Sequence, residues 1–555
     1  MFTPDVASRH GQQLGGDAEW WKGGIIYQVY PRSYLDTNGD GIGDLSGITA
    51  KLDYIQALSV DAIWISPFFV SPMDDFGYDV SDYCDVDPMF GTIGDFDRLL
   101  DGAHERGMRI LVDLVISHTS AKHQWFTESR SSRNNAKADW YVWADPKPDG
   151  SPPNNWLSIF GGSAWEWDSR RRQYYLHNFL TSQPDLNFHN RDVQDAVLGA
   201  ARFWLERGVD GFRLDTVNMY FHDADLRDNP AIEPGQHVNG IPEQNPYAMQ
   251  QPIHNITRPE NLQFLERLRD LMDAFPATAC VGEIGAVLNM YDVLADYTEA
   301  GKRLHMAYSF DFLSRTFSAA HIRTVVERME ANPDSWPSWA FSNHDVERVV
   351  TRWGQGMHAD YMGPLLTVLL ASLRGTPCLY QGDELGLSEA IVPFEMLRDP
   401  YGIRFWPDYA GRDGCRTPMP WNDGARHAGF TSAEEPWLPV PDDHRQRAVT
   451  LQDHAISSPL NRVRRFMRWR RENPVLAKGS IRFVDAPEPV VAFLRQLPED
   501  NSPLLCAFNL GPDPVRFDTG GLREIGLASG HGFAGRMEKT QVVLDGFDAY
   551  FGHVS

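Results

Sequence analysis

The chain has 555 residues, 42% of them hydrophobic and 23% charged, a globular composition long enough for a large domain with one or two smaller ones. Its 75 acidic against 51 basic residues leave a net charge of -24, which repels phosphate backbones and anionic lipid, excludes nucleic-acid and membrane partners, and suits a neutral substrate. The five cysteines are odd in number, scattered and without a CxxC, so no disulfide framework or zinc site is expected and a reducing, cytoplasmic compartment is. The opening MFTPDVASRHGQQLGGDAEWW has no basic start with an apolar run behind it, so no secretory signal is expected. Residues 1–18 read as a loose lead-in. No run of about 18 apolar residues occurs, so nothing is expected to span a membrane.

Eight short apolar runs rich in β-branched and aromatic residues follow. They are GIIYQVY (24–30), AIWISPF (62–68), RILVDLV (109–115), GFRLDTV (211–217), ACVGEIG (279–285), MAYSFDF (306–312), SWAFSNH (338–344) and TPCLYQG (376–382). Such runs read as buried parallel strands. Helical patterns lie between them, clearest in FDRLLDGAHERG (96–107) and DAVLGAARFWLERG (195–208). Eight strands alternating with helices predict an α/β fold, a (β/α)8 TIM barrel, ahead of a doubly wound open sheet. Barrel residues are assigned to 1–118 and 187–477. Residues 119–186 are rich in Trp, Pro, Gly and Asn and too long for one crossover, and are assigned to a loop-rich subdomain inserted after the third strand. Residues 218–260 predict a long loop after the fourth strand. From 478 to 555, runs such as SIRFVD, VVAFLRQ, LLCAFNL and TQVVLDG alternate with turn residues and predict a C-terminal all-β sandwich domain.

Catalytic groups of such barrels emerge at the C-terminal strand ends. Three runs reach acids there: Asp215 in GFRLD, Glu283 in VGE and Asp345 in SNHD. Opening an acetal takes one carboxylic acid to protonate the leaving oxygen and one carboxylate to attack or stabilise the anomeric carbon, roughly 5–5.5 Å apart in a retaining enzyme. Adjacent strands four and five can supply that pair. The bland alternative, strand-end acids paired with Arg213 or Arg348, accounts for any one of the three better than for all of them.

The segment WWKGGIIYQVYPRSYLDTNGDGIGDLSGI, and FGYDVSDY, FGTIGDFDRL, DLVISHTS, QPDLNF, GFRLDTVN, GEIG, SNHD, YQGDELG and GRDGCRTPMPW in order after it, resemble the α-amylase family of glycoside hydrolases over nearly the whole chain, and most closely its bacterial α-glucosidase and oligo-1,6-glucosidase branch. The resemblance implies that Asp215 is the nucleophile forming a covalent glucosyl intermediate, Glu283 the acid/base, and Asp345 the third acid gripping sugar hydroxyls. It implies that Arg213 keeps Asp215 ionised and that burial lets Glu283 carry a proton at neutral pH. Asp75, Tyr78, His118 and His344 match the pocket for a non-reducing glucose, with Tyr78 stacking under the ring. Arg412 matches an arginine closing that pocket against Asp75, and Phe160 and Phe179 match aromatics that line it. A pocket closed in this way implies exo-action on short α-glucosides, with transfer of glucose to hydroxyl acceptors. Thr216, after the nucleophile, stands where similar enzymes carry Thr or Ala for α-1,4 and Val for α-1,6 cleavage.

DTNGDGIGD sets oxygens at alternate positions, Asp36, Asn38, Asp40, the Ile42 carbonyl and Asp44. This is the first part of an EF-hand-like loop without its closing Glu, and predicts a structural Ca2+, or Mg2+ with more water. Ser117 replaces the Asn of the family's usual DxxxNH, which puts the calcium site of many amylases in doubt. Two other outcomes remain open. A sucrose or maltose isomerase would use the same intermediate, although PYGIRFWPDYA lacks the Arg-rich loop of sucrose-isomerising relatives. A non-catalytic binding protein on this scaffold would have lost triad acids, and this chain retains them.

Overall fold

The computed structural model describes residues 11–242, 244–299, 301–354 and 357–555. The first ten residues of the expected lead-in lie outside that set. Each of the eight apolar runs contains a strand: β1 Ile26–Val29, β2 Ala62–Ile65, β3 Arg109–Leu114, β4 Gly211–Leu214, β5 Ala279–Glu283, β6 Met306–Tyr308, β7 Ser338–Ala340 and β8 Thr376–Tyr380. They form one sheet in the order β6-β5-β4-β3-β2-β1-β8-β7, chain order carried round a ring. This is the (β/α)8 TIM barrel. Every strand residue is buried, as expected of strands covered on both faces. The strands stop before the runs do, so that Asp215 and His344 stand beyond the strand ends.

The described residues divide into two compact units. One comprises residues 64–310 with 11–18 and 398–411. Its helix α1, Ile93–Glu105, starts at a capping box between Thr92 and Asp95, which satisfies two of the first-turn N–H groups. Helix α2, Arg191–Glu206, is capped by Asn190 and buries Val193, Val197, Ala200, Ala201, Trp204 and Leu205, a stripe at helical spacing. Trp204 packs with Phe68, Phe69 and Phe96 at ring separations of 4.9–5.6 Å. Burying each such side chain contributes about 1.5–3 kcal/mol. Gly211 opens β4 at φ 150°, where a Cβ would lie 1.7 Å from the Ala279 carbonyl oxygen, so only glycine fits. The lead-in is not loose over 11–15. Gly11 N–H donates to Glu206 O, Gln13 Nε2 to Leu205 O and Leu14 N–H to Asp210 Oδ1 at 3.0, 2.6 and 2.7 Å. Polar backbone that composition marks as a tail is thereby tied down by long-range hydrogen bonds. Within 119–186 the strands Trp143–Ala144, Trp165–Asp168 and Gln173–Leu176 form a three-stranded antiparallel sheet. The long loop after β4 is seated on this region: Trp156 Nε1 donates to Arg227 O, Asn154 Nδ2 to Leu226 O and Asn245 Nδ2 to Ile159 O.

The other unit comprises residues 19–63, 311–397 and 412–555 and carries β1, β7 and β8. Its C-terminal part is all-β: a five-stranded sheet built on Val490–Gln496, Leu504–Asn509 and Ala549–Val554, and a three-stranded one built on Gln541–Leu544. Alternate residues Val490, Ala492 and Leu494 enter a core with Leu505, Ala507 and Val542, while Phe493 and Phe508 stack at 5.9 Å. Among the described residues no helix is long and apolar enough to cross a membrane and no cysteine is disulfide-bonded.

Candidate active site

Strand register sets the order of the acids. Asp113 on β3 and Val281 on β5 flank Arg213 on β4, and Gly282 flanks Leu214. Asp215 therefore falls one step beyond β4, level with Glu283, which pairs with Tyr308 on β6. Since residues two apart on a strand share a face, Arg213 and Asp215 point the same way, the arginine one layer below the acid.

Arg213 is fully buried and shared by three carboxylates. Its Nη1 donates to Asp113 Oδ1 at 2.8 Å and Asp215 Oδ1 at 2.6 Å, and its Nη2 lies 2.5 Å from Glu283 Oε2. Burial opposes the charge on Arg213, but Asp113 and Glu283 outweigh it and hold its pKa well above the ordinary value. Asp113 is itself raised by burial, with Arg213 opposing; its Oδ2 accepts from Trp64 Nε1 and Tyr78 Oη, both at 3.0 Å. Tyr308 Oη donates to Glu283 Oε1 at 3.2 Å. The guanidinium expected to keep Asp215 ionised thus bridges both candidate catalytic carboxyls.

Thr216 joins the same pair from above. Its N–H donates to Glu283 Oε2 and its Oγ1 to Asp215 Oδ2, each at 3.2 Å. Its backbone sits at φ 38°, ψ 50°, a left-handed conformation that is unfavourable for a β-branched residue and costs of order 1–3 kcal/mol where the surroundings enforce it. Ser117, in the place of the family's Asn, contacts Thr216 Oγ1 at 3.1 Å and His118 Nδ1 at 2.9 Å.

Of the expected glucose-pocket residues in this unit, Asp75, Tyr78, His118 and Phe160 are buried and Phe179 is half-buried. Asp75 Oδ2 accepts from Gln183 Nε2 at 3.1 Å, and its N–H donates to Asp79 Oδ1. Asp79 also accepts from Ser71 and Asp74 and so shapes the turn that carries Asp75; burial raises its pKa to about 6. Tyr78 is fixed at its hydroxyl by Asp113, with the Arg213 guanidinium 5.8 Å from its ring centre. His118 is 1% exposed. Its Nε2 donates to Tyr78 O at 2.8 Å and Nδ1 faces the Ser117 hydroxyl, and burial lowers its pKa to about 4. It is a neutral imidazole with both nitrogens engaged, which braces the Tyr78 backbone. Phe179 lies 5.3 Å from His118 and 5.5 Å from Phe160, and Phe160 stacks on Tyr401 at 4.9 Å.

In the other unit, Asp345 lies five residues beyond β7. Its Oδ1 accepts from Arg412 Nη1 at 3.2 Å and Arg416 Nη2 at 3.0 Å, and its Oδ2 lies 3.1 Å from His344 Nε2. Gln28 Nε2 on β1 faces His344 Nδ1 at 2.7 Å. Arg416 Nε donates to His344 O at 2.7 Å, and Tyr30 stacks on the ring at 5.7 Å. Both GRDGCR arginines hold the acid.

The loop at 36–44 folds on its own oxygens. Asp36 Oδ1 accepts from Asn38 and Gly39 N–H, Asn38 Oδ1 from Asp40 N–H and Asp40 Oδ1 from Ile42 N–H. Asp44 accepts from Thr37 and caps the next helix through Gly47 N–H. Asn38 and Asp40 stay exposed. Among the described residues no group of three or more His, Cys, Asp or Glu side chains is placed to hold a metal, so a cation here would draw on the mixed set of carboxylates, amide and the Ile42 carbonyl. That set has the hard-oxygen chemistry of Ca2+.

Sequence reasoning missed Asp113, Tyr308, Gln183, Gln28 and Trp64. Asp113 stands one residue before the end of β3, and its period-2 position was the signal available for it.

The model of the Alpha amylase, catalytic domain, matches residues 28–479. A probable alpha-glucosidase of Rhizobium meliloti (strain 1021) is 54% identical over 98% of both chains. An oligo-1,6-glucosidase of Heyndrickxia coagulans is 36% identical over 90% of this chain and 94% of its own. The structure of the alpha-glucosyl transfer enzyme XgtA superposes with a TM-score of 0.93 at 55% identity, covering 96% of this chain and 99% of that one. The trehalulose synthase MutB from Pseudomonas mesoacidophila MX-45 gives 0.86 at 32% identity, covering 97% and 99%.

Proposed function

Because the chain belongs to the α-amylase family of glycoside hydrolases and is an enzyme of α-glucoside hydrolysis or transfer, we propose that it is a retaining, exo-acting α-glucosidase with transglucosylating activity. One observation carries this reading: Asp215 and Glu283, on adjacent strands, are bridged by the Arg213 guanidinium and again by Thr216. Such a bridge supports the close carboxyl spacing of retaining enzymes, roughly 5–5.5 Å.

In this reading Asp215 attacks the anomeric carbon while Glu283 gives its proton to the leaving oxygen, and the glycosidic C–O bond breaks. Glu283, now a carboxylate, takes the proton of a water or sugar hydroxyl. That oxygen attacks the same carbon, Asp215 leaves, and two inversions retain the α configuration. The Arg213 contacts favour the anionic nucleophile and the Glu283 carboxylate left after proton transfer, and Thr216 N–H and Tyr308 Oη orient Glu283. Asp345, set by Arg412, Arg416 and His344, is assigned the sugar hydroxyls. Asp75, Tyr78, His118, His344, Phe160, Phe179 and Arg412 are assigned to the glucose pocket, and Thr216 favours α-1,4-linked or sucrose-type substrates. The loop at 36–44 is assigned a structural Ca2+ or Mg2+, and the protein a cytoplasmic location.

Asp215→Ala is expected to abolish turnover of nitrophenyl α-glucoside while the protein stays folded; retained turnover sinks the mechanism. Maltose should be cleaved and long starch chains attacked far more slowly, and equal rates on both overturn exo-action. Products from sucrose separate hydrolysis and transfer from isomerisation.

A further inference from the structure

Helix α3, Pro459–Arg471, carries six arginines in a chain of net charge -24. Three have evident tasks. Arg464 pairs with Asp453, Arg470 donates to the carbonyls of Ala371 and Gly23, and Arg471 pairs with Asp61. Arg465 and Arg468 are exposed and make no ion pair among the described residues. The one hydrogen bond of Arg468 goes to its own helix, at Arg464 O. Arg462, half-buried, lies with its guanidinium 5.0 Å from the Phe533 ring centre and near Asp548. Arg462 and Arg465 stand before the last helical turn, where the helix dipole does not account for cations.

Arg465, Arg468 and Trp469 line an open groove of about 780 Å³ whose other wall is the segment from Ser529 to Ala534. That segment is built for close approach. Gly530 and Gly532 have φ of 98° and 91°, and a Cβ on Gly532 would lie 2.9 Å from Arg465 Cδ. Between them His531 is buried, donates from Nε2 to Ala528 O and accepts the Phe533 N–H on Nδ1, so the loop is held in place. The N–H groups of Gly530, His531 and Gly532 make no hydrogen bond among the described residues. Unpaired N–H groups on Gly530 and Gly532 beside guanidiniums are the elements of a phosphate site, and Trp469 and Phe533 add an apolar wall. Glu472 at the rim adds one negative charge to the lining.

We propose that this groove binds a phosphate monoester of a small metabolite, the phosphate on Arg465, Arg468 and the Gly530 and Gly532 amides and its organic part against Trp469 and Phe533. The site uses none of the residues assigned to glucoside chemistry. The test is calorimetric titration of the whole protein at low ionic strength with inorganic phosphate, glucose 6-phosphate and AMP, chloride serving as the control. Saturable binding of at least one phosphate species is expected, weakened about tenfold or more in Arg465→Ala and in Arg468→Ala. Nitrophenyl α-glucoside turnover should stay at the wild-type rate in both variants, which establishes that they fold. Equal binding of inorganic phosphate and the esters assigns the site to the phosphate alone, and tighter binding of one ester identifies which ring the wall receives. Absence of saturable binding, or equal affinity in the variants, overturns the proposal.

Discussion

Replacing Asp113 tests whether the arginine between the acids is the keystone of the site. Asp113 is fully buried and accepts from three groups, Arg213 Nη1 at 2.8 Å and Trp64 Nε1 and Tyr78 Oη at 3.0 Å. At an effective dielectric of about 20, a pair at that nitrogen–oxygen distance attracts by about 6 kcal/mol. Desolvation offsets part of this, and removing one partner of a buried pair costs about 3–5 kcal/mol. Asp113→Ala also strands two neutral donors, each worth about 1–3 kcal/mol; the terms do not add fully, so a loss of about 4 kcal/mol or more is expected. Asp113→Asn keeps the shape and an acceptor for Trp64 or Tyr78 but removes the charge facing Arg213, and should lose less. Freed from one of its three acids, Arg213 shifts, and an ångström of displacement at the catalytic pair lowers kcat by about a hundredfold. Because Asp113 acts only through Arg213 and Tyr78, kcat should fall more than KM rises. Urea unfolding monitored by tryptophan fluorescence and steady-state kinetics on nitrophenyl α-glucoside measure both effects. Wild-type stability and kcat in Asp113→Asn would refute the shared-guanidinium account.

His118 makes a pH prediction. Its folded pKa of about 4 lies below the unfolded value near 6.5, so its contribution is present above pH 6.5 and is lost as pH falls toward 4, where the unfolded chain takes up the proton first. His118→Gln should flatten the acid loss of unfolding free energy by up to about 3 kcal/mol over that window; identical pH profiles would count against a buried neutral imidazole. The loop at 36–44 predicts that Ca2+ or Mg2+ raises the thermal midpoint, by the equivalent of about 2.7 kcal/mol at a hundredfold excess over Kd. Asp40→Ala should remove that shift, and a midpoint indifferent to both cations would remove the site.

The barrel was legible because its signal is local: eight apolar runs at βα spacing, each bearing a strand, with acids at or beyond the strand ends. The separate tasks of Asp215, Glu283 and Asp345 were legible only through resemblance, since a carboxylate in a sequence carries no information on its neighbours. What touches those acids depends on register. Arg213 meets Asp113 across 100 residues, Thr216 meets Glu283 across 67 and His344 meets Gln28 across 316. A shift of one residue in any of these strands would turn the partner to the other face. The same dependence explains His118, which resemblance offered to the glucose pocket and packing engages at both nitrogens. Likewise Thr216, which analogy offered as a linkage marker, is held by tertiary contacts in a backbone conformation that its own chemistry disfavours. By itself the sequence determined the strands, the barrel they build and the acids at their ends, because hydrophobic period and residue type are local properties. Only the tertiary structure decided that one buried guanidinium serves three carboxylates and that two arginines and a histidine grip Asp345, because those bonds form only once the strands have chosen their neighbours.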